Sequence, residues 1–309
     1  MWTRFFVRTL IFVPPFYLLA CAAIATAVAY GNPYRMPNVR DFPHEIWPQI
    51  SGVYLNQQIR SNTVLLVGSS FTYGYSFAAD LALTPSLSKA TGRPVVNVGI
   101  IAGSLEASVD HVFCAMANRN LHVKTIIVEI PLVNEMHTFS TGSRKADFSP
   151  CRRLRPWSAT ETIARHPSAS AWLLNVIDQY RLARIDYDDI IIAPVDEDYF
   201  TSEEIFQANK DILKHRIRNT LLAAAMFADE VYAFVSPVYL DGIETAGRER
   251  QPVANQFAFA EGACVEVLGS RCIRTESLTT RREIYSNLTH LSIRGHGVFA
   301  EHVAKALRE

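Results

Sequence analysis

The sequence predicts an α/β fold, a parallel sheet with helices on both faces, and three observations predict it. Short apolar runs rich in β-branched residues recur at Val64–Val67, Pro94–Val98 and Thr125–Ile130. Stretches with helical spacing separate and follow them, and strand–helix alternation of this kind marks a parallel sheet. The first run stops at Gly68-Ser69-Ser70, a sharp turn at the end of a buried strand, where open α/β sheets place their chemistry. Ser70 is therefore the first candidate nucleophile; the plainer alternative is a cap for the next helix.

The chain has 309 residues, 49% of them hydrophobic, enough for one well-filled core. Lys+Arg and Asp+Glu both number 30, so net charge gives no argument for nucleic acid or an acidic partner. There is no CxxC or HExxH pattern, hence no zinc signature, and no cofactor is expected.

Thr9–Tyr30 carries no charge and is long enough to cross a bilayer core of about 30 Å. The leading reading is an N-terminal transmembrane anchor, with Pro14-Pro15 kinking the helix. A cleaved signal peptide is the second, since Ala25-Thr-Ala27 and Ala27-Val-Ala29 resemble cleavage sites. A lipoprotein signal ending at Cys21 is the third. Arg4 and Arg8 balance Arg35 and Arg40 across the segment, so the flanking charges barely orient it. All three readings put the body of the chain outside the cytoplasm, which is the periplasm if the source is a Gram-negative bacterium. Beyond Cys21 the cysteines are Cys114, Cys151, Cys264 and Cys272, an even set suited to an oxidising space. Cys264 is expected to pair with Cys272, and Cys114 by default with Cys151.

Residues 31–60 read as a linker packing on the body. Val64–Val67 is the first strand. Ala78–Thr91 is helical, restarting near Pro85, and Pro94–Val98 is the second strand. Ser104–Asn118 is a helix with Leu105, Val109, Val112 and Phe113 on one face, and Thr125–Ile130 is the third strand. The pattern loosens over about 135–200, read as an insertion. There Arg144, Lys145, Arg152, Arg153 and Arg155 form either a solvated loop or a basic rim for an anionic substrate. Thr201-Ser-Glu-Glu204 is a capping box opening a helix to about Ala228. Val231–Ser236 is the fourth strand and Cys264–Leu268 a fifth. Ser292 caps a closing helix, Ile293–Leu307.

The tail holds Asn287-Leu-Thr-His290. With Gly68-Ser69-Ser70, Asn97-Val-Gly-Ile-Ile-Ala-Gly103 and Pro131-Leu-Val-Asn134, it makes four blocks in order over about residues 61–309. In this order the chain resembles the SGNH (GDSL-like) hydrolase superfamily. That family has Gly-Asp-Ser after its first strand, Gly after the second, Asn after the third and Asp-x-x-His before the last helix. Here Ser69 and Asn287 stand at the two acidic positions. The resemblance implies a flavodoxin-like three-layer α/β/α sandwich with about five parallel strands, preceded here by the N-terminal transmembrane helix.

The resemblance and the chemistry of acyl transfer imply the same roles. Ser70 is the nucleophile, His290 its base and Asn287 the residue behind the base. The N–H groups of Ser70 and Gly103 and the amide of Asn134 make the oxyanion hole, with Ala102 as the alternative to Gly103 in a shifted register. An asparagine orients the imidazole but adds no charge to stabilise it; Glu283 is the nearest upstream carboxylate able to stand in. The expected activity is that of an extracytoplasmic serine esterase or O-acyltransferase acting on ester groups, such as O-acetyl, of an envelope carbohydrate. The alternative is a weakly active or inactive glycan-binding component working with envelope polysaccharide-assembly proteins. A phosphate-binding flavodoxin-like module is the third reading, disfavoured because Gly68-Ser-Ser-Phe-Thr72 lacks a phosphate-loop lysine.

Overall fold

The structure, a computed structural model, describes Leu19 and residues 47–73, 83–100, 103–140 and 202–309. Its centre is a parallel sheet of β1 (Val64–Val67), β2 (Val95–Asn97), β3 (Val123–Ile130), β4 (Ala228–Val235) and β5 (Cys272–Ile273), in the order β2-β1-β3-β4-β5. This is the flavodoxin-like order, with its topological switch point between β1 and β3. Val64 pairs with Thr125 and Val67 with Val128, so β3 runs two residues, Glu129 and Ile130, past the end of β1 at the switch point.

The strands are mostly apolar at their centres because both faces are covered. Leu65, Val67, Ile126 and Val128 pack on one side with Leu55, Met116, Leu213, Ile217 and Phe257. Val64, Leu66, Ile127 and Phe234 pack on the other with Phe71, Leu83, Leu87, Phe299 and Val303. In chain order the helices are α1 (Trp47–Gln58), α2 (Ser70–Tyr73), α3 (Leu83–Thr91), α4 (Leu105–Ser108), α5 (Cys114–Arg119), α6 (Leu132–Ser140), α7 (Glu203–Ala225), α8 (Leu240–Thr245), α9 (Arg250–Leu268) and α10 (Ile293–Ala306). A π-helical turn, Val109–Phe113, joins α4 to α5. The three-layer expectation holds for this part of the chain.

Two elements differ from the sequence reading. Cys264–Leu268 is the end of α9, and the fifth strand is the short Cys272–Ile273. Phe257, Ala260, Ala263 and Cys264 are buried along α9, and the end of such a stripe reads like a short strand when only a few residues are weighed. Residues 47–58, inside the expected linker, form α1, which buries Tyr54 and Leu55 in the core. The Ser292 cap is as expected, accepting the Gly295 N–H at 3.0 Å; at the other helix the cap is Ser202, which accepts the Ile205 N–H at 3.3 Å, one residue past the expected Thr201, which lies outside the described residues.

Cys264 and Cys272 form the expected disulfide, tying α9 to β5. Cys114 is also disulfide-bonded; its expected partner Cys151 lies outside the described residues. No helix among the described residues is long and apolar enough to cross a membrane. Apart from Leu19, the expected anchor Thr9–Tyr30 lies outside them, as do the basic cluster 144–155 and nearly all of the 135–200 insertion.

A polar network centred on Arg216 runs through the interior. Arg216 of α7 is fully buried; its Nη1 lies 3.0 Å from Glu135 Oε2 and its Nη2 3.2 Å from Glu106 Oε1. Its guanidinium stands 5.0 Å above the Phe139 ring. Glu135, also fully buried, accepts the Leu105 N–H at 2.7 Å through its other oxygen. Removing one member of a buried pair strands the other's charge and costs about 3–5 kcal/mol. Arg216→Met should therefore lower the urea midpoint sharply. Adding Glu135→Gln, which keeps an acceptor for Leu105 without the charge, should recover part of the loss. A double variant no more stable than Arg216→Met would contradict the account.

Candidate active site

Four segments meet at the C-terminal ends of β1, β2 and β3. Beyond the regular strands, the Val98 N–H bonds Leu66 O at 2.9 Å and the Ile100 N–H bonds Gly68 O at 2.8 Å. The turn after β2 is thereby tied to the turn after β1. Ser70 opens α2, and the next residue, Phe71, fixes that short helix by packing edge-on to Phe299 at 5.1 Å and against Phe234 at 5.9 Å.

His290 arrives on a tight loop before α10. Tyr285 and Leu291 form an antiparallel bridge, and the Ser286 N–H bonds His290 O at 2.9 Å. Leu288 O accepts the Tyr239 N–H at 2.8 Å, and Tyr239 stacks on Tyr285 at 5.5 Å. These contacts hold the loop against the segment following β4.

His290 Nε2 lies 3.0 Å from Ser70 Oγ, across 220 residues of sequence. Its Nδ1 lies 3.1 Å from Asn287 Oδ1 and 3.2 Å from Thr289 Oγ1. Asn287 Oδ1 also accepts the backbone N–H groups of Thr289 and His290, each at 2.9 Å. Those two donors fix which end of the amide is oxygen. The oxygen then accepts Nδ1–H, leaving Nε2 bare to take the Ser70 proton. Asn287 thus sets the productive tautomer without supplying charge.

The structure brings Ser70, His290 and Asn287 together as expected. It treats the expected oxyanion donors unequally. The Ser70 N–H bonds no acceptor among the described residues. Asn134 Nδ2 donates to Gly103 O at 2.9 Å, which leaves it a second hydrogen. The Gly103 N–H is directed at Ile100 O, 2.8 Å away. Its expected role as oxyanion donor is therefore corrected: Gly103 closes a turn and offers its carbonyl to Asn134. A Cβ there would meet Ile100 O at 2.8 Å and Gly68 O at 3.4 Å, so the glycine lets the turn lie against the nucleophile segment. Ala102 lies outside the described residues.

Glu283 does not stand in for the missing acid. It faces outward to Arg281, with Oε1 at 2.9 Å from Nε and 2.8 Å from Nη2. A bond from its own N–H, with Arg281 second, lowers its pKa.

Sequence reading missed Glu129. It is a lone acid in the apolar run of β3, fully buried, and it accepts the N–H groups of Ser69 at 2.8 Å and Thr72 at 3.1 Å and the hydroxyl of Ser69. Burial pushes its carboxyl up, and the bonds from Ser69 and Thr72 oppose that. A charged residue interrupting an otherwise apolar run was the available signal; its place beside Ser70 follows only from the pairing of β3 with β1.

Burial, helped by the charge of His296, lowers the His290 pKa from 6.5 to about 4. Partial solvent access at this residue works against that shift and limits it. Only neutral His290 can accept the Ser70 proton, so any turnover that uses this pair would fall as pH drops through its pKa. For any ester that is turned over, the acid limb of kcat/KM should lie below the ordinary imidazole value of about 6.5. Asn287→Asp places a negative charge beside Nδ1, stabilises the imidazolium and should move that limb upward. It should also raise kcat, on the order of 10²- to 10⁴-fold. A wild-type limb already at neutral pH, unmoved in Asn287→Asp, would contradict this.

No protein-family model and no curated protein matches the chain. Among solved structures, the chain is similar to a lipase/acylhydrolase from Enterococcus faecalis (10% identity, 80% of this chain and 95% of that one, TM-score 0.47). It is also similar to the acetylxylan esterase Axe2 from Geobacillus stearothermophilus (14% identity, 81% and 96%, TM-score 0.41). A third is a candidate SGNH hydrolase from Slackia heliotrinireducens (9% identity, 80% and 100%, TM-score 0.43).

Proposed function

We propose that the chain is an SGNH-type serine esterase or O-acyltransferase. The observation that carries this reading is the relay Ser70 Oγ–His290 Nε2 at 3.0 Å and His290 Nδ1–Asn287 Oδ1 at 3.1 Å, standing at the switch point of the sheet. In this reading His290 takes the Ser70 proton as Oγ attacks the ester carbonyl. The oxyanion meets the Ser70 N–H and the free Nδ2 hydrogen of Asn134. Collapse releases an alkoxide that His290 protonates, leaving Ser70 acylated. Water or a sugar hydroxyl then gives its proton to His290 and takes the acyl group, restoring Ser70.

The finer reading is a protein held outside the cytoplasm by Thr9–Tyr30, acting on acyl esters, such as O-acetyl groups, of an envelope carbohydrate. The uncharged Thr9–Tyr30 segment and the Cys264–Cys272 disulfide support the compartment, since disulfides persist in oxidising spaces. A second reading follows from Asn287: with an amide where an acid is usual, the site binds a glycan and turns it over slowly or not at all, as part of a polysaccharide-assembly complex.

Turnover of a chromogenic acetyl ester separates the two. The enzyme reading predicts hydrolysis reduced at least about 10³-fold in Ser70→Ala and in His290→Ala, with both variants folded. Equal background rates in the folded wild type and both variants would favour the binding reading. A soluble oligosaccharide acceptor that speeds release of the chromophore and becomes acetylated would mark transfer rather than hydrolysis.

A further inference from the structure

Glu129 is a buried titratable group beside the site described above that has no part in its chemistry. Glu129 lies in β3 beneath the nucleophile turn. Oε2 accepts the Ser69 N–H at 2.8 Å and the Thr72 N–H at 3.1 Å, and Oε1 accepts the Ser69 hydroxyl. These donors bracket Ser70 on both sides in sequence. Thr72 Oγ1 in turn donates to Ser69 O at 3.1 Å. Asn97 of β2 closes the clasp from the other side, giving Nδ2 to Thr72 O at 2.5 Å and accepting the Gly99 N–H at 2.8 Å.

The glycine before the turn is explained by the same carboxyl. A Cβ on Gly68 would run into the Glu129 side chain and into Thr72 Oγ1 at 2.6 Å. Any other residue there would push Glu129 out from under the turn. The chain carries Ser69 where the resembling family has an aspartate. Here the carboxyl reaches the turn from the neighbouring strand, and Ser69 is the small residue through which it grips.

We propose that Glu129 is a positioning residue for catalysis, whose buried carboxyl, by accepting hydrogen bonds from Ser69 and Thr72, holds the Ser70 hydroxyl and N–H in line with His290 and the oxyanion site. Ser70 itself makes no bond to Glu129 among the described residues, so the effect passes through the backbone on either side. A shift of about 1 Å in a nucleophile costs on the order of 10²-fold in rate. Hydrogen-bond acceptance carries the role, so a glutamine, whose carbonyl oxygen can take the two N–H groups, replaces most of it. A methionine of similar size replaces none of it.

The inference rests on Ser70 being the nucleophile, and the test keeps the two apart by using a geometric and a chemical readout. Crystal structures of wild type, Glu129→Met, Glu129→Gln and Ser69→Ala give the Ser70 Oγ–His290 Nε2 distance. The rate of labelling by a fluorophosphonate, together with kcat and KM for an acetyl ester, gives the chemistry. Expected for folded Glu129→Met is a widened Ser70–His290 separation. Labelling and kcat should fall on the order of 10²-fold while KM stays within about 2-fold. Glu129→Gln should stay within about 10-fold of wild type, because the acceptor is kept. Wild-type geometry and labelling in Glu129→Met would overturn the proposal, as would a Glu129→Gln as impaired as Glu129→Met. If Glu129→Met does not fold, Ser69→Ala decides: a several-fold slower labelling supports the proposal, and an unchanged rate overturns it. If wild type is not labelled, the esterase reading fails, and the distance in the variants alone decides the positioning role.

Discussion

The hydrogen bond between Ser70 Oγ and His290 Nε2 joins the end of the first strand to the loop before the last helix, and the fold is arranged so that this bond can form. β1 lies between β2 and β3, so the chain leaving it emerges at the switch point, the one place where neighbouring connections run to opposite faces and leave a crevice. α10 then brings the histidine back. Phe299 of α10 packs on Phe71, the residue after the nucleophile. The same apolar cluster that stabilises one face of the sheet therefore sets the distance between Ser70 and His290.

The site handles charge in an unusual way. His290 has an amide behind it, and burial favours its neutral form. Carboxyls are nonetheless close by, buried in supporting positions. Glu129 holds the turn that carries Ser70. Glu135, paired with Arg216, holds the N-terminus of α4 just past Gly103, and its neighbour Asn134 bonds Gly103 itself. Acidic groups here fix the backbone around the reacting atoms, where hydrogen-bond acceptors hold geometry more tightly than apolar packing does.

Much of this was legible in the sequence because the signals were local. A buried strand stopped by Gly68-Ser-Ser70, and Asn287-Leu-Thr-His290 before a Ser-capped helix, are patterns of a few residues. Their order along the chain made the relay predictable to the residue. What was not legible depends on pairing across the sheet. Glu129 reads as an oddity in an apolar run until β3 is set beside β1. The Gly103 N–H looks available until the turn to Ile100 is seen. The fifth strand falls beyond the end of α9 and not on Cys264-Val-Glu-Val-Leu268, a short run, apolar but for Glu266, that satisfies a strand pattern locally. Only the length of the preceding helix settles it. Glu283 failed as a substitute acid for a similar reason: nearness in sequence said nothing of the side to which its side chain turns.

The central claim is that Ser70 is a nucleophile activated by His290. Intact-mass measurement after fluorophosphonate treatment, followed by peptide mapping, tests it most directly. The account predicts one adduct per chain, on the peptide containing Ser70, formed by the wild type and absent or strongly slowed in His290→Ala. A folded wild type that takes up no adduct, or one that carries it on another serine, would contradict it.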